Sequence, residues 1–319
     1  MAINGKTASI LVSAACAAVV VVSTPALAVE GGTGFYLLGS RTTMGGFVPP
    51  PGTYFTSTTY AFVGNANLDF ATGGVKLSGN IDADAFLELP TFLHVIEEPV
   101  LGGNLGFVAI VPVGWKGVSS DFRLTGPAGG SLQNGTGDYN LGVGDPVVGA
   151  TLGWNSGKWY SSATAIVNVP IGDWTEGSAA NIGFNRWGLD VTGAFTWLDP
   201  ETGWEFSGAA GMTFNGENED TDYQSGDEFH FEFAGMKAVS KTASLGLNGY
   251  YYRQVTGDTG DGAVLGSNKG EVWGLGPALN AAFEVSGRPV SMSLRMFHEF
   301  DAERRIPGDA ILLNLTIPL

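Results

Sequence analysis

The chain has 319 residues, a formal net charge of −16 and only 14% charged residues, although 44% of its residues are hydrophobic. Glycine is very frequent, at 49 residues, and this combination is unusual for a soluble globular domain. The acidic balance argues against nucleic-acid binding, because proteins that bind nucleic acids neutralise phosphate groups with Lys and Arg.

The first 28 residues have the pattern of a cleavable secretory signal peptide. Lys6 supplies the positive charge, an apolar run extends over residues 10–22, and Ala26-Leu27-Ala28 provides a small-residue cleavage site. The alternative is a transmembrane anchor, which needs about 20 apolar residues. Because Pro25 follows the apolar run too soon for an anchor, we expect cleavage after Ala28.

Export would place the mature chain in an oxidising compartment, where many proteins are stabilised by disulfides. The only cysteine is Cys16, which lies inside the predicted signal peptide, so the mature chain has none. We therefore expect its stability to come from another source. A closed β-barrel is one answer, since its backbone hydrogen bonds are completed from strand to strand.

The remainder of the chain alternates apolar and polar residues with a period of two, as half-buried β-strands do. No run of 18 consecutive apolar residues follows the signal peptide, so we expect no membrane-spanning helix. Twelve segments are predicted as strands, namely 53–62, 82–95, 103–113, 142–154, 159–170, 186–198, 203–214, 227–239, 244–255, 271–286, 289–301 and 309–318.

The links between these segments alternate between short and long. The short links are 155–158, 199–202, 240–243 and 286–288. The long links are 63–81, 114–141, 171–185, 215–226 and 256–270. A soluble sandwich would also alternate apolar and polar residues, but short periplasmic turns and long outer loops are typical of membrane barrels. The sequence therefore predicts an all-β fold, a transmembrane antiparallel β-barrel of about 12 strands over residues 53–319, with both termini periplasmic.

Four tryptophans flank two of the short links. Trp154 and Trp159 lie beside the first, and Trp197 and Trp204 beside the next. Because Trp prefers the membrane–water interface, we predict that these residues form a periplasmic girdle in contact with outer-membrane lipid. The alternative is ordinary core tryptophans beside hairpins, but two pairs at the same predicted height favour the girdle.

Seven ionisable residues fall on the polar faces of predicted strands. They are therefore predicted to line the lumen, and they are Glu88, His94, Glu228, His230, Glu232, Arg295 and Glu299. An Arg facing lipid would cost about 2–4 kcal/mol at the membrane midplane, whereas inside the barrel it can pair or meet water. One interpretation is a structural polar network that holds the strands in register. The other is a polar lining that guides a solute, and the two are compatible.

Residues 29–52 precede the first predicted strand and are rich in Gly and Pro. They carry apolar side chains that a periplasmic tail would not need, namely Phe35, Tyr36, Leu37, Leu38, Met44 and Phe47. We predict that this segment enters the barrel as a lumenal plug. The alternatives are a cap on the periplasmic mouth and a short thirteenth strand.

Neither catalysis nor a cofactor or metal site is expected. His94, His230 and His298 are the only histidines and each lies within or at the end of a predicted strand. The sequence contains no Gly-x-Ser-x-Gly nucleophile elbow and no HExxH metal motif. Acidic residues cluster in the links 215–226 and 256–270, where carboxylates can bind Ca²⁺, but the EF-hand spacing is absent and a solvated loop is the default.

Short glycine-rich motifs point to a family. They are EGGTGFYLLGS at 30–40, MGGFVPPPGTY at 44–54, LGVGDP at 141–146 and NVPIG at 168–172. In order and spacing they resemble the outer-membrane proteins of the phenol meta-cleavage (MetA) degradation pathway family, over essentially the whole mature chain. The resemblance implies a membrane barrel that moves hydrophobic or aromatic substrates, and it carries over no catalytic residue.

Three functions remain open at this point. The leading one is passive uptake of a small hydrophobic or aromatic solute through a narrow outer-membrane barrel. The second is a structural or surface-interaction barrel with a closed lumen, and the third is an outer-membrane hydrolase. The sequence does not fix the oligomeric state.

Overall fold

The computed structural model describes residues 29–72, 75–127, 129–264 and 266–319. The predicted signal peptide lies outside the described residues. In the described ranges the one helical element is a 3₁₀ turn at Glu30–Gly32, and none of these residues forms a helix long and apolar enough to cross a membrane.

All other regular structure in these ranges is strand. Strands β1 to β8 are Gly52–Thr72, Val75–Val95, Asn104–Ile110, Val113–Thr125, Ser131–Val143, Val147–Ser156, Trp159–Asn168 and Gly188–Asp199. Strands β9 to β16 are Trp204–Asn215, Glu217–Asn218, Tyr223–Gln224, Glu228–Ala238, Ala243–Gln254, Glu271–Val285, Arg288–Glu303 and Gly308–Pro318.

Fourteen of these strands form one antiparallel sheet, and the short β10–β11 hairpin stands apart. The sheet closes because β1 pairs with both β2 and β16, so that Tyr54 lies opposite Leu93 on one side and Pro318 on the other. β3 and β4 lie end to end along β2, interrupted at 111–112, and β5 and β6 continue one another across 144–146. Counted as continuous strands they make a closed twelve-stranded barrel, which confirms the predicted fold class and strand number.

Proline accounts for the two interruptions. Pro112 and Pro146 have no N–H to donate to a neighbouring strand. A gap of two residues on one strand faces a gap of three on the other, which is the geometry of a β-bulge. The Gly144 N–H donates to the Pro112 carbonyl oxygen at 2.8 Å across this bulge, so backbone pairing resumes on both sides of it.

Two of the predicted long links are largely strand. Residues 63–72 and 75–81 belong to β1 and β2, and most of 114–141 belongs to β4 and β5. Their Gly, Asn and Asp residues are typical of turns, but cross-strand pairing decides the conformation. A strand of 21 residues spans about 69 Å, whereas a membrane crossing takes about 9–11 residues. The β1–β2 and β4–β5 hairpins, called the projecting hairpins below, therefore extend beyond the barrel rim.

Both ends of the barrel wall lie at the end with the short links, since Tyr54 near the start of β1 pairs with Pro318 at the end of β16. Glu30 instead lies at the opposite end, where Asn218 of the β9–β12 link donates to its carboxylate. The predicted arrangement of both termini on one side therefore holds for the barrel wall and not for residues 29–51, because this segment runs back through the lumen. The periplasmic orientation of the short links stays a prediction.

Alternate residues of each strand face outward and inward. Ile311 and Leu315 on the outer face are 42% and 38% exposed, whereas Leu312 between them is fully buried. Other strands also expose apolar side chains on the outer face, including Phe107, Val148, Val191, Phe206, Phe231, Leu247 and Leu275. An apolar outer face around a closed hydrogen-bond ladder is the surface of a membrane-spanning barrel.

Candidate functional site

Residues 29–51, called the lumenal segment below, run through the barrel from one end to the other. At the end with the long links, Asn218 Nδ2 donates to the Glu30 carboxylate at 3.0 and 3.1 Å. Near the short links, the Gly46 N–H donates to Thr196 Oγ1 at 3.1 Å. The segment therefore occupies the whole height of the lumen before it enters β1.

Two buried side chains of opposite charge hold the middle of the lumenal segment. Glu232 of β12 accepts hydrogen bonds from the N–H groups of Gly39 at 2.9 Å and Arg41 at 2.6 Å. Arg295 of β15 donates to the carbonyl oxygens of Gly39 at 2.7 Å and Ser40 at 2.6 Å. Both side chains are almost fully buried, and hydrogen bonds to charged groups are stronger than neutral ones. The strand residues thus supply the backbone partners that this irregular segment lacks within itself.

His230 of β12 stacks on the segment at a position closer to the long links than Glu232. The rings of Tyr36 and His230 are 3.6 Å apart between centroids, at an interplanar angle of 20°. His230 Nε2 lies 2.8 Å from Asp190 Oδ2, and Asp190 also accepts from Thr192 and Thr213 at 2.6 and 2.7 Å. These contacts fix the imidazole plane against which Tyr36 packs.

The part of the segment nearer the short links is held by β7 and β9. Glu205 accepts a hydrogen bond from the Met44 N–H at 2.7 Å, and Ser162 donates to the Gly45 carbonyl oxygen at 3.2 Å. Below this level a cavity of about 220 Å³ opens between the segment and the wall, lined by residues that include Phe47, Val48, Asn104, Trp154 and Tyr160. The lumen is thus filled in its middle and holds a cavity at the end with the short links.

Gly39 sits where a side chain would not fit. Its φ is +82°, and an added Cβ would lie 2.6 Å from two ring atoms of Phe297. Glycine adopts positive φ without steric cost, so this position allows the backbone to turn between Glu232 and Arg295.

A polar layer closes the lumen at the long-link end. Arg186 lies 3.7 Å from the Glu30 carboxylate, and Asn215 donates to Glu228 at 2.9 Å. In the link above, Tyr223 donates to an Asp258 carboxylate oxygen at 2.7 Å, and burial together with this carboxylate raises the pKa of the Tyr223 phenol.

One side of the lumen is apolar and aromatic. It is formed by Tyr250, Tyr252, Val272, Phe297, Ala310 and Leu312, with Tyr60, Phe62 and Ala302 at its edge. Leu37 and Leu38 of the lumenal segment pack against this cluster. The opposite side, on β7, β8 and β9, carries Thr and Ser side chains that are buried, such as Thr164, Thr192 and Ser207. The lumen therefore has a mainly apolar half, called the apolar half below, which the segment covers, and a polar half. Arg295 and Glu299 of β15 are the buried charged groups beside the apolar cluster that contact the segment or Tyr250.

The structure places five of the seven residues predicted to line the lumen inside it. They are Glu228, His230, Glu232, Arg295 and Glu299, and all are buried. Glu299 accepts from the Tyr250 hydroxyl at 2.9 Å, and the other four contact or flank the lumenal segment or its polar layer as described above.

The other two, Glu88 and His94, lie on the outer face of the barrel, contrary to prediction. Leu87 pairs with Tyr60 of the apolar half, so the odd-numbered residues of this part of β2 face inward and the even-numbered ones outward. The polar face of a strand was assumed to be the lumenal one. Here the inner face is apolar because it belongs to the apolar half of the lumen.

The residues predicted to form the plug all belong to the lumenal segment. Tyr36 stacks on His230, Leu37 and Leu38 pack on the apolar half, and Met44 lies at Glu205. An added Cβ at Gly188 would lie 2.5 Å from the Phe35 ring, and Phe47 packs edge-on against Tyr160.

The four tryptophans predicted as a girdle all lie at the short-link end of the barrel. Trp159 pairs with Trp197 across β7 and β8, and Trp154 and Trp204 sit beside the turns on either side. Trp159 and Trp204 are exposed on the outer face.

Several buried polar residues that contact the segment or its partners were not predicted as site residues from the sequence. Asp190, Glu205 and Arg186 are the main ones, and Thr196 and Asn248 add further contacts. Asp190 and Glu205 alternate with apolar residues in predicted strands, so the period-two pattern alone could have found them. Among the described residues, no group of three or more His, Cys, Asp or Glu side chains could hold a metal ion.

A solved structure shares the barrel architecture. The COG4313 outer membrane channel from Pseudomonas putida F1 is 17% identical, covering 89% of this chain and 100% of that one, with a TM-score of 0.66. OccK7 (OpdD) of Pseudomonas aeruginosa is 10% identical over 84% of this chain and 98% of its own, with a TM-score of 0.30. No curated protein sequence matches the chain.

A family model assigns the chain more directly. The model of the family described as "Putative MetA-pathway of phenol degradation" matches residues 55–315. The match runs from β1 to β16 and so includes every strand of the closed barrel. The chain belongs to this MetA-pathway phenol-degradation family.

Proposed function

We propose that this protein is a bacterial outer-membrane channel for small hydrophobic or aromatic compounds, and that the lumenal segment keeps it closed. The observation that carries the proposal is the packing of Leu37 and Leu38 against the apolar half of the lumen. Two comparisons support it: the family description names phenol degradation, and the similar Pseudomonas putida protein is described as an outer membrane channel.

The chemistry of the apolar half favours an aromatic solute. Tyr60, Tyr252 and Phe297 present rings there, and aromatic pairs gain about 0.5–1.5 kcal/mol beyond the burial of their area. When Leu37 and Leu38 move away, these rings lose their cover, and an apolar solute can replace it. A strongly hydrated solute would gain nothing from this surface, because apolar contacts do not repay its desolvation.

A reversible cross-link tests whether the segment must move. Thr43 Oγ1 of the segment and Ser293 Oγ of β15 are 3.4 Å apart, so cysteines at both positions bring their sulfur atoms within reach of a disulfide. The mature chain has no other cysteine once Cys16 leaves with the signal peptide. We expect the oxidised T43C/S293C protein to block single-channel conductance and aromatic flux into vesicles, and a reductant to restore both.

The T43C and S293C single variants serve as controls, because each carries a thiol without a partner. They should conduct alike with and without reductant. Equal conductance of the oxidised and reduced double variant would refute a closing role for the segment. Flux of an aromatic solute that equals the flux through protein-free vesicles, in the reduced protein, would refute uptake itself.

A second candidate function is a surface-interaction barrel with a permanently closed lumen. The projecting hairpins favour it, because they extend β1, β2, β4 and β5 beyond the rim. The same cross-link separates the two candidates, since a permanently closed barrel conducts equally poorly in both redox states.

A further inference from the structure

An ionisable side chain lies on the lipid-facing surface of the barrel. Glu88 of β2 pairs with Thr59 of β1 on one side and with Val113 of β4 on the other. The same outward row continues with Leu313 of β16 and Val143 of β5. Glu88 is therefore a carboxyl group in a row of otherwise uncharged outer-face residues.

The position of Glu88 along the barrel axis places it inside the membrane. Glu88 is seven residues from Val95, the last residue of β2 at the short-link end. This separation is about 23 Å along the strand, and strand tilt reduces it to about 18 Å of height, within an apolar band about 25 Å tall. Ionisable groups at such positions are rare and mark functional sites by default.

Two hydroxyl groups of the neighbouring strand donate to this carboxyl group. Ser57 Oγ lies 3.0 Å from one carboxyl oxygen and Thr59 Oγ1 lies 2.5 Å from the other. A carboxylate has about four lone-pair positions. About two remain for a further donor, and lipid chains offer none.

Aromatic rows lie above and below Glu88 on the same outer face. On the side of the projecting hairpins, Phe86 pairs with Trp115, which stacks on Tyr139 at 5.8 Å. On the side of the short links, Phe55 and Phe92 have ring centroids 5.1 Å apart. The carboxyl group is thus the polar centre of an aromatic surface.

We propose that Glu88, with Ser57, Thr59 and the flanking rings of Phe86 and Phe92, is a docking site for an aromatic compound that carries a hydroxyl group. The ring of a phenol packs between the aromatic rows, and its O–H donates to the free lone pairs of Glu88. The inference rests on the proposed function, since it names a solute class and a place where the protein meets it in the lipid phase.

Photolabelling in lipid vesicles tests the site. The full mature barrel is irradiated with a phenol bearing a diazirine and, separately, with the methyl ether of that phenol, which has the same ring but no O–H. Labelled peptides of β1 and β2 are then quantified by mass spectrometry. We expect about tenfold more labelling by the phenol, because one additional hydrogen bond is worth about that factor.

Variants assign the effect to the carboxyl group. E88L should remove the preference for the phenol, while E88Q, whose amide oxygen still accepts, should keep part of it. D84L is the matched control, because Asp84 lies on the same face of β2, beyond Phe86 and next to the rim, and should keep the whole preference. The two probes on the unmodified protein decide the question even if E88L does not fold.

Three results would overturn the inference. One is equal labelling by phenol and methyl ether, and another is an E88L protein with the preference intact. The third is a dimer of the unmodified protein that E88L converts to a monomer, since the patch would then face a second copy of the chain. Aromatic flux that persists alongside any of these results leaves the proposed channel standing, whereas loss of flux through the unmodified protein counts against the channel itself.

Discussion

Glu232 and Arg295 bind the same residue of the lumenal segment from two different strands. The Glu232 carboxylate accepts from the Gly39 N–H, and the Arg295 guanidinium donates to the Gly39 carbonyl oxygen. The two partners are 193 and 256 residues away from Gly39 in sequence. The segment can therefore dock only after β12 and β15 have closed into the wall.

Removing the guanidinium should loosen the segment. R295M keeps an unbranched stem but lacks the guanidinium and so loses both donations, which we expect to cost about 2 kcal/mol of stability and to raise the single-channel conductance. Thermal unfolding on heat-modifiability gels and planar-bilayer recording check the two effects. R288M is the control, because Arg288 is exposed at the start of β15, beside a short link. An R295M protein that is as stable and as closed as the unmodified one would contradict the docking role.

The contributions of Glu232 and Arg295 to stability should also be energetically coupled. E232Q loses one of the two carboxylate oxygens that accept from Gly39 and Arg41, and its amide N–H₂ faces a backbone donor instead. Because Glu232 and Arg295 share Gly39, the double variant E232Q/R295M should be destabilised by less than the sum of the single effects. Denaturant unfolding of the unmodified protein, both single variants and the double variant measures the coupling. Strictly additive changes in the free energy of unfolding would show that Glu232 and Arg295 act independently.

A methyl group at Gly39 should destabilise the closed arrangement. G39A places a Cβ at positive φ and within 2.6 Å of the Phe297 ring, and a left-handed backbone alone costs a non-glycine residue about 1–2 kcal/mol. We expect a lower unfolding temperature and more frequent opening. G193A is the matched control, since an added Cβ there meets no atom within 4 Å, and it should behave like the unmodified protein.

Shortening a projecting hairpin should leave the proposed channel intact. Ala66 and Ile81 are paired across β1 and β2, so residues 67–80 can be replaced by Asn-Gly, which favours a two-residue hairpin turn. β1 pairs with β16 only up to Gly64, and we therefore expect unchanged conductance and heat-modifiable migration. A barrel that no longer folds would show that the hairpin belongs to the wall, and a channel with altered flux would show that it shapes the entrance.

The inward or outward orientation of side chains could be predicted from the sequence for strands that face lipid on one side and polar groups of the lumen on the other. In β12, Phe231 faces outward and His230 and Glu232 face inward, as the alternation indicates. The rule failed at Glu88, because a strand beside an apolar part of the lumen is apolar on the inside. The polarity of a face identifies its surroundings only when the lumen is uniformly polar.

The path of the lumenal segment could be predicted only in part. Its apolar residues indicated burial, but the contacts that fix its course, such as Met44 with Glu205, join residues 161 positions apart. Local patterns carry no information about such pairs. The projecting hairpins were missed for a different reason, since residues such as Gly64 and Asn67 are typical of turns and only cross-strand pairing holds them extended.

An ion pair at the short-link end should make the stability of the barrel depend on pH. Lys158 Nζ lies 2.7 Å from Asp199 Oδ1, which joins the turn after β6 to the last residue of β8. This hydrogen bond, helped by the Glu201 N–H at 3.1 Å, holds the pKa of Asp199 below its usual value. A carboxyl group with a lower pKa in the folded state stabilises the protein above its unfolded pKa of about 3.9, and this contribution is lost as the pH falls through the folded value.

We therefore expect D199N to unfold more easily than the unmodified protein at neutral pH, and the difference to vanish as the pH falls through the lowered pKa of Asp199 in the folded state. The effect should be small, because Lys158 is partly exposed and such pairs are screened by water. Urea unfolding in vesicles across this pH range measures it. E201Q is the control, since Glu201 is 86% exposed and 3.9 Å from Lys158, and it should show almost no pH-dependent difference. A D199N deficit that persists or grows in acid would mean that Asp199 acts through its packing and not through its charge.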